Sequence, residues 1–236
     1  MNLIEILKPV EFTYPKDDKY IYCIPEGVNI GSSRMYSIQG ISGSGKSTIL
    51  TLLAALRRFR QGTIQYTLAA KQAVQVTPAN WKKLVGPAFW GNMGFSFQKP
   101  ELIRALTVKK NLELAIGKAM TEEMALALFE HKEWDEITNA RIWKLSGGQM
   151  QRLGIIRAFG ANQALVFMDE PTNNLDKSNR KKVVDFIQRY RQDKSIVFVS
   201  HDQPFLDMLA IDTTFEVREE GELQGRWQRI LQPKTG

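Results

Sequence analysis

Gly40-Ile41-Ser42-Gly43-Ser44-Gly45-Lys46-Ser47 matches the spacing G-x-x-x-x-G-K-[S/T] at every required position. A segment of this kind can cradle a chain of phosphates. Gly40, Gly43 and Gly45 let the backbone curl against phosphate oxygens with no Cβ in the way. Consecutive N–H groups from Ser42 to Thr48, with the start of the following helix behind them, then point at one anion. Lys46 reaches the β- and γ-phosphates, and the Ser47 hydroxyl ligates Mg²⁺. The bland alternative, a Gly/Ser turn that merely precedes a helix, has to reproduce every position and both flanks by accident.

Acidic groups for the same chemistry follow the apolar run Leu165-Val166-Phe167-Met168. Asp169 ends that run, so its carboxylate emerges beside the phosphate loop and can serve a metal directly or through water. Glu170 points the other way and is placed to orient or deprotonate an attacking water. His201, followed by Asp202, ends the next apolar run, Ile196-Val197-Phe198-Val199, and can act there as a donor or switch beside a γ-phosphate. A solvated acidic pair and a lone surface histidine are the competing readings; the shared setting at strand ends weighs against both.

The elements that must position these groups are legible in the patterning. Met35 to Ile38 reads as a strand entering the glycine loop, and Thr48 to Leu56 as a helix with Ile49, Leu52, Leu53 and Leu56 on one face. The two later apolar runs flank a helical pattern through Val183, Val184, Phe186, Ile187 and Tyr190. That is a parallel βαβ unit, whose ligands gather at the carboxyl ends of its strands. Tyr20 to Ile24, Thr63 to Leu68 and Met93 to Gln98 add strands, so residues 1–100 read as strand-rich around one helix. From Thr107 to about Phe159 the pattern is helical. Thr107 and Thr121 are expected caps of helices carrying Leu112, Leu114 and Ile116, then Met124, Leu126 and Leu128.

The chain has 236 residues, 43% of them hydrophobic, a net charge of +7 and one cysteine, Cys23. No repeat or linker interrupts it, so a single unit over 1–236 is expected, with a helical subdomain at about 99–160. Its longest apolar stretches fall far short of the roughly 20 residues that cross a bilayer. Met1 to Glu5 lacks the marks of a secretory signal, and a lone cysteine suits a reducing compartment. The basic clusters at Arg57, Arg58 and Arg60, at Arg180 to Lys182, and at Arg226 and Arg229 read as a solvated face. Attraction to anionic lipid or nucleic acid is the alternative.

Read together with Leu145-Ser146-Gly147-Gly148-Gln149, these motifs make the chain resemble the ATP-binding cassette (ABC) ATPases over nearly its whole length. That pentapeptide matches the family signature letter for letter. Gly147 and Gly148 open an expected helix through Arg152 to Ala158, with N–H groups and a serine hydroxyl facing outward. The resemblance implies an α/β fold: a P-loop NTPase core with a parallel sheet, an N-terminal antiparallel β subdomain and a helical subdomain. It implies ATP and Mg²⁺ as ligands and a second cassette as partner, packed head to tail so that Ser146, Gly147, Gly148 and Gln149 touch the partner's nucleotide.

Gln98, after Phe95-Ser96-Phe97, matches the Q-loop glutamine, and Asn174-Leu175-Asp176 the D-loop that crosses the dimer interface. The implied catalytic set is Glu170, His201, Gln98 and Lys46, and the implied metal set Ser47, Gln98 and Asp169. Tyr14 stands where the A-loop aromatic stacks on adenine, although Tyr20 and Tyr22 compete and a core or hairpin tyrosine accounts for the position equally well. Two departures are visible. Asn173 occupies a D-loop position where small residues are frequent, and residues 134–144 lack the usual glycine-rich text.

The wording of Pro171 to Asp176 resembles both the lipoprotein-release or macrolide-exporter branch and the translation-factor branch. The implied function is an ATPase subunit that powers a membrane transporter, peripheral on the cytoplasmic face, with separate transmembrane subunits and no nucleic acid. Lys99 to Val108 is the candidate contact with those subunits, or a simple connecting loop. The alternatives are a cassette that regulates a membrane complex without moving solute and a protein acting on the ribosome or nucleic acid.

Overall fold

The computed structural model describes residues 1–68, 72–160, 163–223 and 225–234. Three antiparallel strands open the chain: β1 (Asn2–Tyr14), β2 (Asp17–Ile24) and β3 (Asn29–Gly31), with β1 pairing to both others. Strand β4 (Met35–Gln39) runs into helix α1 (Lys46–Leu53). Strands β5 (Gln61–Thr67) and β6 (Ala73–Val76) extend the antiparallel part beyond β1. Two one-turn helices, α2 (Trp81–Leu84) and α3 (Pro87–Trp90), lead to β7 (Met93–Ser96).

Four helices follow: α4 (Val108–Ile116), α5 (Lys118–Leu128), α6 (His131–Ile137) and α7 (Gly147–Ala158). The βαβ unit comes next as β8 (Leu165–Asp169), α8 (Lys177–Tyr190) and β9 (Ser195–Val199). A short α9 (Gln203–Asp207) precedes the antiparallel pair β10 (Thr213–Leu223) and β11 (Arg226–Pro233).

All strands join one sheet in the order β6-β5-β1-β2-β11-β10-β4-β9-β8-β7, with β3 on β1. From β10 to β7 the pairing is parallel, so β4, β9, β8 and β7 deliver their carboxyl ends to one edge. Strands β8 and β9 are buried at every residue, which is why they read as unbroken apolar runs. Their alternate side chains divide between two cores. Leu165, Phe167, Val197 and Val199 face α1 and the β-rich part; Val166, Met168, Ile196 and Phe198 face α4 to α9. Ile49, Leu50, Leu52 and Leu53 bury the inner face of α1, each contributing about 1.5–3 kcal/mol. The second core reaches beyond the helices of 99–160 to include Val183, Phe186 and Phe205.

Several expectations need adjustment. Thr107 caps α4 by accepting a hydrogen bond from Lys110 N, but Thr121 does not cap α5. It sits one turn inside, donating its hydroxyl to Gly117 O at 2.8 Å, while Gly117, at φ +79, takes the cap position. Helix α1 ends at Leu53, short of Leu56, as Ala55 turns left-handed at φ +51. Residues 1–100 hold α2 and α3 besides α1. Among the described residues no helix is long and apolar enough to cross a membrane.

Candidate functional site

The phosphate loop joins β4 to α1, and its glycines are dictated by geometry at two points. Gly45 caps α1 at φ +96, and a Cβ there would stand 2.2 Å from Tyr22 Cε1. Gly40 has φ +143, with Ser44 Oγ and Val217 O within 2.9 Å of any added Cβ. No side chain caps α1, so its first N–H groups have no side-chain acceptor. Lys46 Nζ donates to Gly40 O at 3.0 Å and to Ile41 O at 2.9 Å, folding the loop around its own cation. Ser44 Oγ is buried with no hydrogen-bond partner, an orphan that a phosphate oxygen would satisfy.

Asp169 and Glu170 leave β8 in different directions, as adjacent residues at a strand end must. Asp169 Oδ1 accepts from Ser47 Oγ at 3.0 Å. Burial pushes the Asp169 carboxyl above its ordinary range, and the Glu170 charge adds to this, against the Ser47 hydrogen bond and the Lys46 charge. Glu170 is buried in the left-handed region at φ +49, strain of order 1–3 kcal/mol for a non-glycine residue. Three contacts hold its backbone there: its N–H donates to Val199 O at 2.8 Å, and its carbonyl accepts from Asn173 N at 3.1 Å and from Gln151 Nε2 at 3.3 Å. Its Oε1 lies 2.7 Å from His201 Nδ1, and the His201 ring is largely exposed.

A cleft of ≈ 540 Å³ is lined by Tyr14, Tyr22, Ser42, Gly43, Gly45, Lys46, Ser47, Thr48, Gln98, Glu170, Val199 and His201; Gly40, Ser44 and Asp169 stand behind this lining, Asp169 through its hydrogen bond with Ser47. Both Tyr14 and Tyr22 are therefore at the cleft. Tyr14 Oη lies 2.9 Å from Thr48 Oγ1, and the Arg57 guanidinium sits 5.0 Å from the Tyr14 ring centroid. Tyr20 does not line the cleft; it lies under Arg229. Among the described residues no three His, Cys, Asp or Glu side chains gather as a metal cage. The Ser47 hydroxyl, the Asp169 carboxylate and Gln98 nonetheless suit Mg²⁺, which takes few protein oxygens beside phosphate oxygens.

The signature residues sit apart, at the start of α7. Ser146 Oγ accepts from Gln149 N at 3.2 Å, and Gln149 Oε1 accepts from Ser146 N at 3.0 Å, a reciprocal cap. The exposed serine thus braces its own helix by accepting a hydrogen bond, which leaves its O–H free to donate. Behind the cap, Glu133 accepts from Gln149 Nε2 at 3.1 Å and forms a two-pronged pair with Arg152, at 3.0 and 2.6 Å. The Arg152 guanidinium also lies 4.2 Å from the Phe129 ring centroid. Burial works to raise the Glu133 carboxyl, but hydrogen bonds from Arg152 and Gln149 and the Arg152 and Lys182 charges hold it below its ordinary range.

Some contacts carry no sequence signal. Thr172 donates to Asp202 Oδ2 at 2.8 Å, and Arg180 Nε stands 2.6 Å from the same oxygen as an ion pair without hydrogen-bond alignment. This ties the Pro171 to Asp176 turn to the residue after His201. Arg229 Nη1 donates to Gly43 O at 2.6 Å.

Comparison with known proteins shows whose fold this is. The family model described as ABC transporter matches residues 27–173. The chain belongs to the ABC transporter family. MJ0796 of Methanocaldococcus jannaschii, an ABC transporter ATP-binding protein, is 30% identical over 93% of this chain and 97% of its own length. A homolog of an ABC transporter ATP-binding protein in Mycoplasma pneumoniae is 33% identical over 80% of this chain and 65% of its length. The macrolide export ATP-binding/permease protein MacB of Mannheimia succiniciproducens is 30% identical over 86% of this chain, which spans only 32% of that relative. The dimeric post-hydrolysis structure of MJ0796 bound to ADP and Pi superposes with a TM-score of 0.70 at 26% identity, covering 96% of this chain and 98% of that one. The cassette is an ATP-binding ATPase with the ABC fold: antiparallel strands, a parallel core sheet and packed helices.

Proposed function

We propose that this cassette powers a membrane transporter, hydrolysing ATP when a second cassette closes over it head to tail. The observation that carries this reading is the separation of two sets of residues. The cleft gathers the phosphate loop, Glu170, His201 and Gln98, while Ser146 to Gln149 stand at an exposed helix start outside it. A signature that does not face its own cleft is suited to a partner's nucleotide. The dimeric MJ0796 structures support such a pair.

Within the cleft, the N–H groups from Ser42 to Thr48 and the Lys46 ammonium hold the phosphates. Tyr14 stacks on the base; Tyr22 packs against Gly45 and shapes the same wall. Ser47, Asp169 and Gln98 would hold Mg²⁺, which supplies charge neutralisation on the phosphate oxygens. Glu170 takes the proton of the attacking water, His201 orients Glu170 and faces the terminal phosphate, and Gln98 couples the cleft to neighbouring subunits. Residues 99–108 would form the contact with transmembrane chains, placing the cassette on the cytoplasmic face of a membrane.

Glu170→Gln provides the test. It removes the base but keeps the fold, so turnover should fall about 10²- to 10⁴-fold while an ATP-dependent dimer accumulates in size-exclusion chromatography. Wild-type turnover, or a chain that stays monomeric with ATP bound, would count against the reading. Co-purification of the tagged chain with a membrane protein supports the transporter assignment; ribosomes in its place would overturn it.

A further inference from the structure

The phosphate loop is closed at its base and open at its tip. Lys46 gathers the carbonyls of Gly40 and Ile41, and Ser44 N–H donates to Ile41 O at 3.1 Å. Ile41, Ser42 and Gly43 are exposed, and no heavy atom stands within 4 Å of where a Cβ on Gly43 would lie. A glycine-rich tip without packing costs more conformational entropy to order than any other segment of its length. Arg229 reaches that tip from the far end of the chain, through the 2.6 Å hydrogen bond from Nη1 to Gly43 O.

Register explains how it does so. Strand β11 runs parallel to β2, with Trp227 opposite Tyr20 and Arg229 opposite Tyr22. Alternate residues share a face, so Tyr20, Tyr22 and Arg229 stand together on the side toward the loop. The guanidinium lies 3.4 Å from the Tyr20 ring centroid, its Nη1 3.4 Å from Tyr22 Oη, and its Nε 3.4 Å from Glu219 Oε2. Its side chain is only 12% exposed. A permanently charged group is thereby fixed, largely out of water, against the rim of an anion site.

The planar trans amide turns this contact into control of the loop. Carbonyl and N–H of one peptide point to opposite sides, so holding the Gly43 oxygen outward turns the Ser44 N–H inward. Ile41 O receives that N–H here, and a phosphate oxygen can compete for it. We infer that Arg229 is a positioning residue of the phosphate loop, holding the 43–44 peptide in its anion-binding orientation and setting nucleotide affinity more than the rate of cleavage. This rests on Gly40 to Ser47 being the nucleotide site.

The test measures steady-state ATP hydrolysis and nucleotide-free thermal melting of the full chain as wild type, Arg229→Gln, Arg229→Lys and Lys46→Ala. Loss of one charge-assisted bond should raise KM for ATP about ten-fold in Arg229→Gln with kcat within about two-fold. Arg229→Lys, which keeps a cation and a single donor, should recover part of the loss. A wild-type KM with a lowered melting midpoint would reduce Arg229 to a strut of the β10–β11 pair and overturn the inference. So would an equal fall in kcat and kcat/KM at unchanged KM. Should Arg229→Gln fail to fold, Arg229→Lys decides: a KM raised about three-fold supports the inference, and a wild-type value overturns it. Lys46→Ala separates the two failures, because wild-type hydrolysis and KM there would remove the nucleotide site itself.

Discussion

Helices α1 and α7 both begin among glycines and serines and solve the problem of a helix start in opposite ways. Each opens with glycine and serine, and neither has an acid in its first turn. Helix α1 is capped by a left-handed glycine that offers no acceptor, so the ligand has to complete it. Helix α7 is braced by Ser146 and Gln149 acting on each other, which satisfies the N–H groups of those two residues before any ligand arrives and leaves those of Gly147 and Gly148 outside the cap. Small residues therefore build a receptor in one place and a braced, exposed probe in the other. What separates them is the cap residue and its conformation: a left-handed glycine at Gly45 and an extended serine, with glutamine three residues on, at Ser146.

The comparison breaks most sharply at Gly45. Gly45→Ala places a methyl group on Tyr22 in a left-handed conformation, so ATP binding measured by calorimetry should weaken about 100-fold or more. Undiminished binding would show that α1 does not need its open start.

Glu133→Gln tests the buttress behind the probe. It removes a charge-assisted pair, for a loss of about 1.5–3 kcal/mol in urea unfolding at pH 7. The Glu133 carboxyl is held below the ordinary carboxylate range, so its contribution is present above the unfolded value and disappears as pH falls through the lower folded value. The gap between wild type and variant should accordingly close in acid, as the folded carboxyl becomes protonated; a gap that persists there would assign the effect to packing.

The smallest effect is expected for Ser146→Ala, which removes half the reciprocal cap and should cost about 1 kcal/mol in urea unfolding. If α7 is self-sufficient, that loss appears without nucleotide and is not restored by ATP.

Legibility in the sequence followed locality. The phosphate loop, the acids ending β8 and the signature are contiguous, so their chemistry is written in adjacent letters. The parallel core was readable because strands buried on both faces are unbroken apolar runs. Strand β1 was not read: Lys8-Pro9 interrupts its alternation, and its pairing with β5 shifts register at Ile6/Lys8 and again at Lys8/Glu11. Thr121 was misplaced because Gly117 caps α5 by its backbone alone. Arg229 and Gly43 are 186 residues apart, and Thr172 and Asp202 are 30 apart; no periodicity connects such pairs.

The sheet order also dictates when the molecule can be finished. Strands β2 and β4 are not neighbours; β11 and β10 stand between them. During synthesis the first strands therefore emerge long before the pair that joins them to the parallel core. Until residues 213–233 are made, each half carries an unpaired inner edge, exposed to mispairing with another nascent chain. Strands β10 and β11 act as the keystone of the sheet, and truncation within them should leave the facing edges of β2 and β4 unpaired and aggregation-prone, even though α1 packs against both parts.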